Sequence, residues 1–307
     1  MLQTINTKIL LSAAVILASA AVIVGATFAF FADTETSTAN TFAAGDIDLT
    51  IGNTSYALDF NIPNYPSPTG ALVASPNNIW TLDNLTIEKF FSFTDLKPGD
   101  YGEDTISMRV GSNDAWVCAA ANITADKDNS ITEPEDEAGL PAGDLLDGTT
   151  DGDLDSELQF AFWKDDGDNV LETDEVASLF ATGPVSNLNP EGKIALADAQ
   201  GTNPFGNTPM LGNTTNYIGK GWCFGAMAPT GIAQDGLSTS GPLVRGTGFS
   251  CNGSAVGNLS QTDSIEGDLQ FFAVQARNNP NFSCETDYVP TWPTPTEVPV
   301  TPTPTTP

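Results

Sequence analysis

The sequence of 307 residues contains no histidine. Histidine is the commonest general base and metal ligand near neutral pH, so its absence excludes a Ser-His-Asp triad and a two-histidine zinc site. Paired carboxylates could still carry out acid–base chemistry, but no local pattern singles out such a pair. The sequence therefore predicts that the protein is not an enzyme.

Positive charge is scarce throughout the chain. There are 10 lysine and arginine residues against 39 aspartate and glutamate residues, which gives a formal net charge of −29. A chain this acidic repels phosphate backbones, so nucleic acid is excluded as a partner. The excess of carboxylates also predicts a soluble protein that could attract divalent cations.

Charge of either sign is missing near the N-terminus, between Lys8 and Asp33. The uncharged run is apolar, is long enough for a signal-peptide core and ends in small residues at cleavage spacing. We interpret residues 1–29 as a signal peptide that is cleaved before Phe30. The alternative is an uncleaved membrane anchor, which would be the only membrane contact. Both interpretations predict a secreted protein of the extracellular matrix or the cell surface.

Cysteine is limited to Cys118, Cys223, Cys251 and Cys284. In an oxidising compartment four cysteines predict two disulfides, for which three connectivities exist. We favour Cys223–Cys251, because both residues lie in a Gly/Asn/Ser-rich region without a core of its own. The remaining pair, Cys118–Cys284, would tie an early strand to the end of the domain. Free buried thiols are the alternative and fit an exported protein less well.

Long helical patterns are missing as well, and strand-like alternation takes their place between residues 44 and 288. Ile47, Leu49 and Ile51 alternate with Asp46, Asp48 and Thr50, as expected for a half-buried strand. Further strand-like runs cover residues 90–96, 105–110, 116–123, 158–163, 216–224 and 269–277, and short helical candidates cover residues 176–180 and 193–199. The pattern predicts one all-β domain, a jelly-roll-like two-sheet sandwich with long loops and few short helices. An immunoglobulin-like sandwich is the alternative.

The C-terminal residues 289–307 have no apolar pattern that could form a core. They consist mainly of repeated Pro-Thr units. Such a composition predicts an extended, polyproline-like stalk or linker.

Two acidic loops share the pattern Asp-x-Asp-Asn-x-(Ile/Leu)-x-x-x-Glu. Closely spaced carboxylates followed by a later glutamate can surround Ca²⁺ with oxygen ligands. The candidate ligands are Asp126, Asp128, Ser130, Thr132 and Glu137 in the first loop and Asp166, Asp168, Asn169 and Glu175 in the second. The first loop has Ile131 where an EF-hand needs glycine, and Val170 interrupts the ligand register of the second. The alternative is that both loops only form turns on an acidic surface.

The segment Gly25-Ala-Thr-Phe-Ala-Phe-Phe-Ala-Asp-Thr-Glu35, followed by Asn40-Thr-Phe-Ala-Ala-Gly-Asp-Ile-Asp-Leu49, resembles the start of TasA/camelysin-type proteins. Leu96-Lys-Pro-Gly-Asp100 resembles a turn of the same family. The resemblance fades through the middle of the chain, where the acidic loops and cysteines look like additions. It implies cleavage by a SipW-type signal peptidase and a jelly-roll subunit of an extracellular fibre or biofilm matrix.

The resemblance also implies how such a fibre would assemble. In these fibres the N-terminal segment of one subunit completes the sheet of the next. Residues 30–43 would be that donor strand, anchored by Phe30, Phe31 and Phe42, and subunits would associate head-to-tail. The alternative function is a monomeric, Ca²⁺-stabilised cell-surface binding module on a Pro/Thr stalk. Some relatives are labelled metalloproteases, although the lack of histidine argues against the usual zinc site.

Overall fold

The computed structural model describes residues 47–59, 71–138, 152–188, 192–238 and 240–292. The predicted signal peptide, the donor-strand residues Phe30, Phe31 and Phe42, and most of the Pro/Thr tail lie outside these ranges. The chain divides into two compact units, residues 1–44 and 45–307, and all described residues belong to the second. Among the described residues, no helix has both the length and the apolar character needed to cross a membrane.

Strands dominate the described residues, as an all-β fold requires. The strands are β1 (Thr50–Asp59), β2 (Ala71–Ala74), β3 (Trp80–Asp83), β4 (Tyr101–Arg109), β5 (Ala115–Lys127), β6 (Leu158–Asp165), β7 (Ala181–Pro184), β8 (Gly192–Ala197), β9 (Thr215–Phe224), β10 (Ala226–Pro229), β11 (Phe249–Asn252) and β12 (Ser264–Gln275). The helices are α1 (Glu133–Ala138), α2 (Leu154–Glu157), α3 (Pro242–Arg245) and α4 (Cys284–Asp287), and single 3₁₀ turns cover Pro76–Asn78, Val176–Ser178 and Val185–Leu188. The prediction of an all-β fold with few short helices is confirmed.

The strands form two main sheets and a hairpin. The large sheet has the order β2-β1-β4-β9-β6-β7, with β3 also paired to β1, and the small sheet has the order β12-β5-β8. Strands β10 and β11 form the separate hairpin. All strand pairs are antiparallel. Apolar side chains from both main sheets share one core, which includes Ile106 and Met108 of β4 and Val117 and Ala119 of β5.

Both faces of β4 are buried. Ile106 and Met108 face the core between the sheets and are 1% and 0% exposed. Glu103 and Thr105 alternate with these residues and so lie on the outer face of the large sheet, because successive strand side chains point in opposite directions. They too are buried, at 0% and 2% exposure. Another part of the chain therefore covers the outer face of the large sheet at β4. This covering segment, the loop after β6, contains the candidate site.

Both disulfides match the predicted pairing. Cys118 on β5 bonds to Cys284 on α4, with 5.7 Å between their Cα atoms. Cys118 belongs to a second apolar cluster on the face of the small sheet that points away from the main core, together with Trp116, Phe282 and Tyr288. Cys223 on β9 bonds to Cys251 on β11, with 5.5 Å between Cα atoms, which joins the β10–β11 hairpin to the large sheet.

Two local predictions are wrong. Residues 193–199, read as a short helix, lie largely in β8, which pairs with β5. Residues 90–96, read as a strand, are irregular. Here the backbone carbonyl of Phe90 accepts a hydrogen bond from Lys220 Nζ at 3.2 Å, and that of Lys89 accepts one from Asn78 Nδ2 at 2.6 Å. Side chains thus replace the strand partner of this segment.

Candidate metal centre

The candidate site lies on the outer face of the large sheet, where β4 and the end of β6 approach each other. Thr105 Oγ1 of β4 donates a hydrogen bond to Asp165 Oδ2 of β6 at 2.7 Å, although β9 lies between these strands. The intervening positions of β9 are Gly219 and Gly221, which pair with Thr105 and Glu103. A Cβ atom at Gly219 would come within 2.0 Å of the Trp163 ring. Gly219 therefore leaves room above β9 for the Trp163 ring of β6, whereas a Cβ atom at Gly221 would meet the Phe249 ring of β11 at 2.7 Å.

The loop after β6 covers this part of the sheet. Its conformation uses two residues in the left-handed region, Gly167 (φ +112) and Asn169 (φ +64). Asp168 Oδ1 accepts a hydrogen bond from the backbone N–H of Val170 at 2.9 Å. Leu171 is fully buried, and its N–H donates to the carbonyl of Thr247 at 3.0 Å. The loop is thus held between the sheet and the segment that precedes β11.

Arg245 of α3 neutralises one side of the acidic loop. Its Nη1 atom donates to Asp168 Oδ2 at 2.7 Å and to Glu172 Oε1 at 2.6 Å. Its Nη2 atom donates to the carbonyl of Ala233 at 2.6 Å. Asp168 and Glu172 therefore have a protein counter-ion.

The cluster also contains buried oxygens without a hydrogen-bond partner among the described residues. These atoms are Glu103 Oε1 and Oε2, Asp165 Oδ1, Asp166 Oδ1 and Asn169 Oδ1. Glu103 is 0% exposed, so its whole carboxylate is shielded from water as well. A buried carboxylate without partners is strongly unfavourable unless a positive charge or a proton neutralises it.

The pKa values of these carboxyl groups are raised because the groups are buried close to one another. Burial, and then the charge of Asp165, raise the pKa of Glu103 well above its usual range. Burial raises the pKa of Asp165 to about 6. Burial and neighbouring carboxylates, Asp165 foremost, raise the pKa of Asp168 to about 7 and that of Glu175 to about 8. Each carboxylate thus makes its neighbours harder to ionise, and a bound cation would reverse that effect.

The acidic groups are close enough to hold a metal ion. Three sets of side chains each bring their ligand oxygens within 4.8 Å of one another. The sets are Asp165/Asp166/Asp168, Asp166/Glu172/Glu175 and Asp168/Glu172/Asp235. The four candidate ligands of the second loop, Asp166, Asp168, Asn169 and Glu175, lie in this one region.

The candidate ligands of the first loop are dispersed. The hydroxyl groups of Ser130 and Thr132 bond to the side chains of Thr262 and Gln261 at 2.9 and 3.0 Å. Asp128 is buried, whereas Glu137 is exposed and Asp126 is partly buried. Among the described residues, no set of three acidic side chains within 4.8 Å includes a residue of this loop.

Two further acidic residues, Glu135 and Asp263, lie close to Asp128 of the first loop, and Glu135 is the final glutamate of the loop pattern. Glu135 of α1 is 1% exposed. Burial, followed by the charges of Asp128 and Glu135, raises the pKa of Asp263 to about 7.

Sequence reasoning missed Glu103, Asp165, Glu172 and Arg245 in the site of the second loop. The spacing pattern began one residue after Asp165 and skipped Glu172. Glu103 had one detectable signal, because two adjacent acidic residues, Glu103 and Asp104, interrupt a strand whose other face is apolar. Arg245 offered no signal in the sequence.

The N-terminal part of the chain matches a known family. Residues 4–64 match the sequence model of the family described as camelysin metallo-endopeptidase. The predicted resemblance to camelysin-type proteins is therefore confirmed over this segment, of which the structure describes residues 47–59. No characterised protein matches the chain.

This match corrects the expectation that the protein is not an enzyme. That expectation came from the lack of histidine, yet the matched family is described as a metallo-endopeptidase, which points to a possible enzyme. The physical reason for the error is that a metal ion does not require histidine, because carboxylates alone can ligate one. Among the described residues, no side-chain arrangement marks a clear active site.

Proposed function

We propose that the protein is a secreted structural subunit that assembles head-to-tail into an extracellular fibre or biofilm matrix by strand addition. The camelysin match supports a secreted structural or biofilm-related protein. The observation that carries the finer proposal is the edge of the small sheet beside β12, which has no paired strand among the described residues.

The two main sheets differ in size. The large sheet has seven strands, whereas the small sheet has three, in the order β12-β5-β8. A strand added beside β12 would therefore widen the smaller sheet.

The free edge of β12 has the properties that such an addition requires. β12 pairs with β5 along its whole length, from Ser264 to Gln275, and has no strand on its other side among the described residues. Leu269, Phe271 and Ala273 of β12 face the main core but are only partly buried. Unpaired backbone groups beside half-buried apolar side chains favour the addition of an extended segment.

The occupant that we propose is the arm of residues 30–43 from a second copy of the chain. Fully extended, an arm of that length spans roughly 45 Å, at about 3.3 Å per residue. It can therefore run along the 12 residues of β12. Phe30, Phe31 and Phe42 would anchor it between the sheets. Because the arm and the β12 edge are different surfaces, the contact is head-to-tail and need not close into a ring.

Deletion of residues 30–41 from the mature chain tests this assembly. We expect a folded monomer that forms no fibres, measured by electron microscopy and light scattering. A matched control deletes residues 293–307 at the opposite end, and we expect that variant to polymerise normally. Fibres of normal appearance from the arm deletion would exclude the arm as the donor strand.

Calcium is the ion that we propose for the acidic cluster. Oxygen-only ligands from carboxylates favour hard cations, and the second loop supplies several of them. Binding to the native state alone would raise the melting temperature by mass action. Equal melting curves in EDTA and in millimolar calcium would contradict this part of the proposal. A calcium-stabilised chain that stays monomeric with its arm intact would favour the alternative function, a surface binding module.

A further inference from the structure

We propose that Lys220 of β9 and Asp104 of β4 condense to form an isopeptide bond, an amide between their two side chains. The bond would cross-link two adjacent strands of the large sheet inside the main core. It is a modification that the folded chain makes on itself, without a cofactor or a second protein. The inference goes beyond the proposed function and does not depend on fibre assembly or on calcium.

The two side chains are already in contact. Asp104 and Lys220 lie directly opposite each other in the register of β4 and β9, so both point to the same face of the sheet. Lys220 Nζ lies 2.8 Å from Asp104 Oδ2. This oxygen nevertheless accepts no hydrogen bond among the described residues. The nitrogen therefore lies beside the carboxyl group without the alignment of an ordinary hydrogen-bonded ion pair.

Burial favours the uncharged forms of both groups, which are the forms that condense. Both side chains are 0% exposed. The Phe91 and Phe90 rings lie near the nitrogen, with centroids 3.6 and 5.8 Å from Nζ. Burial lowers the pKa of Lys220, and a desolvated lysine with a lowered pKa is an effective nucleophile. In such surroundings a neutral amine beside a neutral carboxylic acid avoids the cost of two buried charges.

The reaction balances as the loss of one water molecule. The Lys220 ammonium first transfers a proton to Asp104 Oδ2, and the resulting amine attacks Cγ. As the N–Cγ bond forms, negative charge develops on Oδ1, to which Asn53 Nδ2 donates a hydrogen bond at 3.2 Å. The nitrogen then gives a second proton to Oδ2. The Cγ–Oδ2 bond breaks, and Oδ2 leaves as water with the bonding electron pair.

The fold supplies the positioning that this reaction needs. Free amines and carboxylates are charged and hydrated in water, so they do not condense at a useful rate. Well-oriented groups within one molecule reach effective concentrations of about 10⁵–10⁸ M. Here the backbone carbonyl of Phe90 accepts a hydrogen bond from Lys220 Nζ at 3.2 Å and holds the nitrogen beside the carboxyl group.

Two exposed ion pairs of the same chain are internal controls. Lys97 Nζ lies 2.7 Å from Asp95 Oδ2, and these side chains are 60% and 87% exposed. Lys127 Nζ lies 3.2 Å from Glu266 Oε1, and these side chains are 36% and 65% exposed. Water keeps both pairs charged, so we expect no amide at either. A bond at Lys220 alone would therefore identify burial, rather than distance, as the cause.

Mass spectrometry of the purified mature chain, with its disulfides reduced, tests the proposal. We expect a mass lower than that of the sequence by one water molecule. After trypsin digestion we expect no cleavage after Lys220 and a peptide containing Asp104 joined to the one that spans Lys220. Full mass with normal cleavage after Lys220 would overturn the inference and leave an ion pair. Loss of ammonia instead of water would also overturn it, because Asn53 would then be the acceptor.

Lys220→Arg is the matched variant. Arginine keeps the positive charge, but its guanidinium is not deprotonated in proteins and cannot attack the carboxyl group. We expect Lys220→Arg to have its full mass, whereas Lys97→Arg, at an exposed pair, should still lose one water. A loss of water that persists in Lys220→Arg would place the dehydration elsewhere and overturn the inference. If Lys220→Arg does not fold, the peptide map of the wild type decides alone.

A refolding time course shows whether the folded chain makes the bond. Chain that is isolated unfolded in urea and has never folded should have its full mass. After refolding we expect first-order loss of one water, at a rate that does not change on dilution. Newly folded chain thus still contains the ion pair, and measurements of the stability of that pair need chain of full mass. A rate that rises with protein concentration would indicate bonds between chains and contradict the inference.

Discussion

At the scale of single residues, a buried ion pair links β4 and β9 inside the main core. Lys220 Nζ lies 2.8 Å from Asp104 Oδ2, and both side chains are 0% exposed. The ammonium group also lies 3.6 Å from the centroid of the Phe91 ring. Burial lowers the pKa of Lys220, and the charge of Asp104 opposes that shift. The pair thereby holds the irregular segment around Phe91 against the large sheet.

Removing the lysine should be strongly destabilising. Lys220→Met leaves Asp104 charged and buried, which we expect to lower the free energy of unfolding by about 3–5 kcal/mol. Urea unfolding followed by circular dichroism measures this change. The double variant Lys220→Met/Asp104→Leu should recover most of the loss, because no unpaired charge remains. Lys97→Met, at an exposed pair with Asp95, is the control and should change stability by less than about 1 kcal/mol.

The close approach of Trp163 to β9 gives a second prediction. A Cβ atom at Gly219 would meet the Trp163 ring at 2.0 Å, so Gly219→Ala should destabilise the protein by about 1–3 kcal/mol. The matched control is Gly257→Ala, where a Cβ atom would meet nothing within 4 Å. Thermal melting compares the two variants. Equal melting temperatures would show that Trp163 can move aside without cost.

Part of the candidate site could be predicted from the sequence. The rest could not, because it is formed by residues that only strand pairing brings together. Asp166, Asp168, Asn169 and Glu175 lie within ten residues of chain, so their spacing alone suggests that they share a loop. Thr105 comes from a distant strand and reaches Asp165 across β9, which carries Gly219 beside Thr105. Sequence spacing contains no information about such a contact across three strands.

At the scale of elements, the two disulfides should differ in their contribution to stability. Cys118–Cys284 closes a separation of 166 residues, and Cys223–Cys251 one of 28. Chain entropy then predicts losses of roughly 5 and 3.5 kcal/mol when each pair is replaced by alanine. Urea unfolding of the two double variants measures both losses under the same conditions. A larger loss for the Cys223/Cys251 variant would contradict an entropic origin.

Strand existence was easier to predict than strand order. Alternation located β4 and a strand-like apolar run located β9, whereas the alternating residues 46–51 overlap β1 only at Thr50 and Ile51. Order was not accessible, because β4 pairs with β9 and β5 with β12 across more than a hundred residues. Residues 193–199 were assigned to the wrong element because a short apolar run fits either period, and only pairing with β5 decides it.

At the scale of the whole molecule, net charge should control assembly. Each chain carries a formal charge of −29, so subunits repel one another in dilute buffer. Salt shortens the range of that repulsion from about 30 Å at 0.01 M to about 8 Å at 0.15 M. We therefore expect the proposed fibres to form faster as sodium chloride rises over this range, measured by light scattering. A rate that falls with salt would mean that attraction between charges drives the contact.

Processing of the N-terminus gives a further prediction for the whole chain. If residues 1–29 are a signal peptide, N-terminal sequencing of the secreted protein should begin at or near Phe30. Only a free Phe30 would allow the arm to enter another subunit from its end. An intact Met1 in the membrane fraction would instead identify an uncleaved anchor.

The position of Cys118 has a mechanical consequence. Cys118 lies opposite Phe272 of β12 in the strand register and is covalently joined to α4. A load applied along an arm beside β12 would act in shear on many hydrogen bonds at once. The load would then be transmitted to β5, which the Cys118–Cys284 disulfide joins covalently to α4. Under tension, such a filament would part by withdrawal of the arm, and the subunit itself would remain folded.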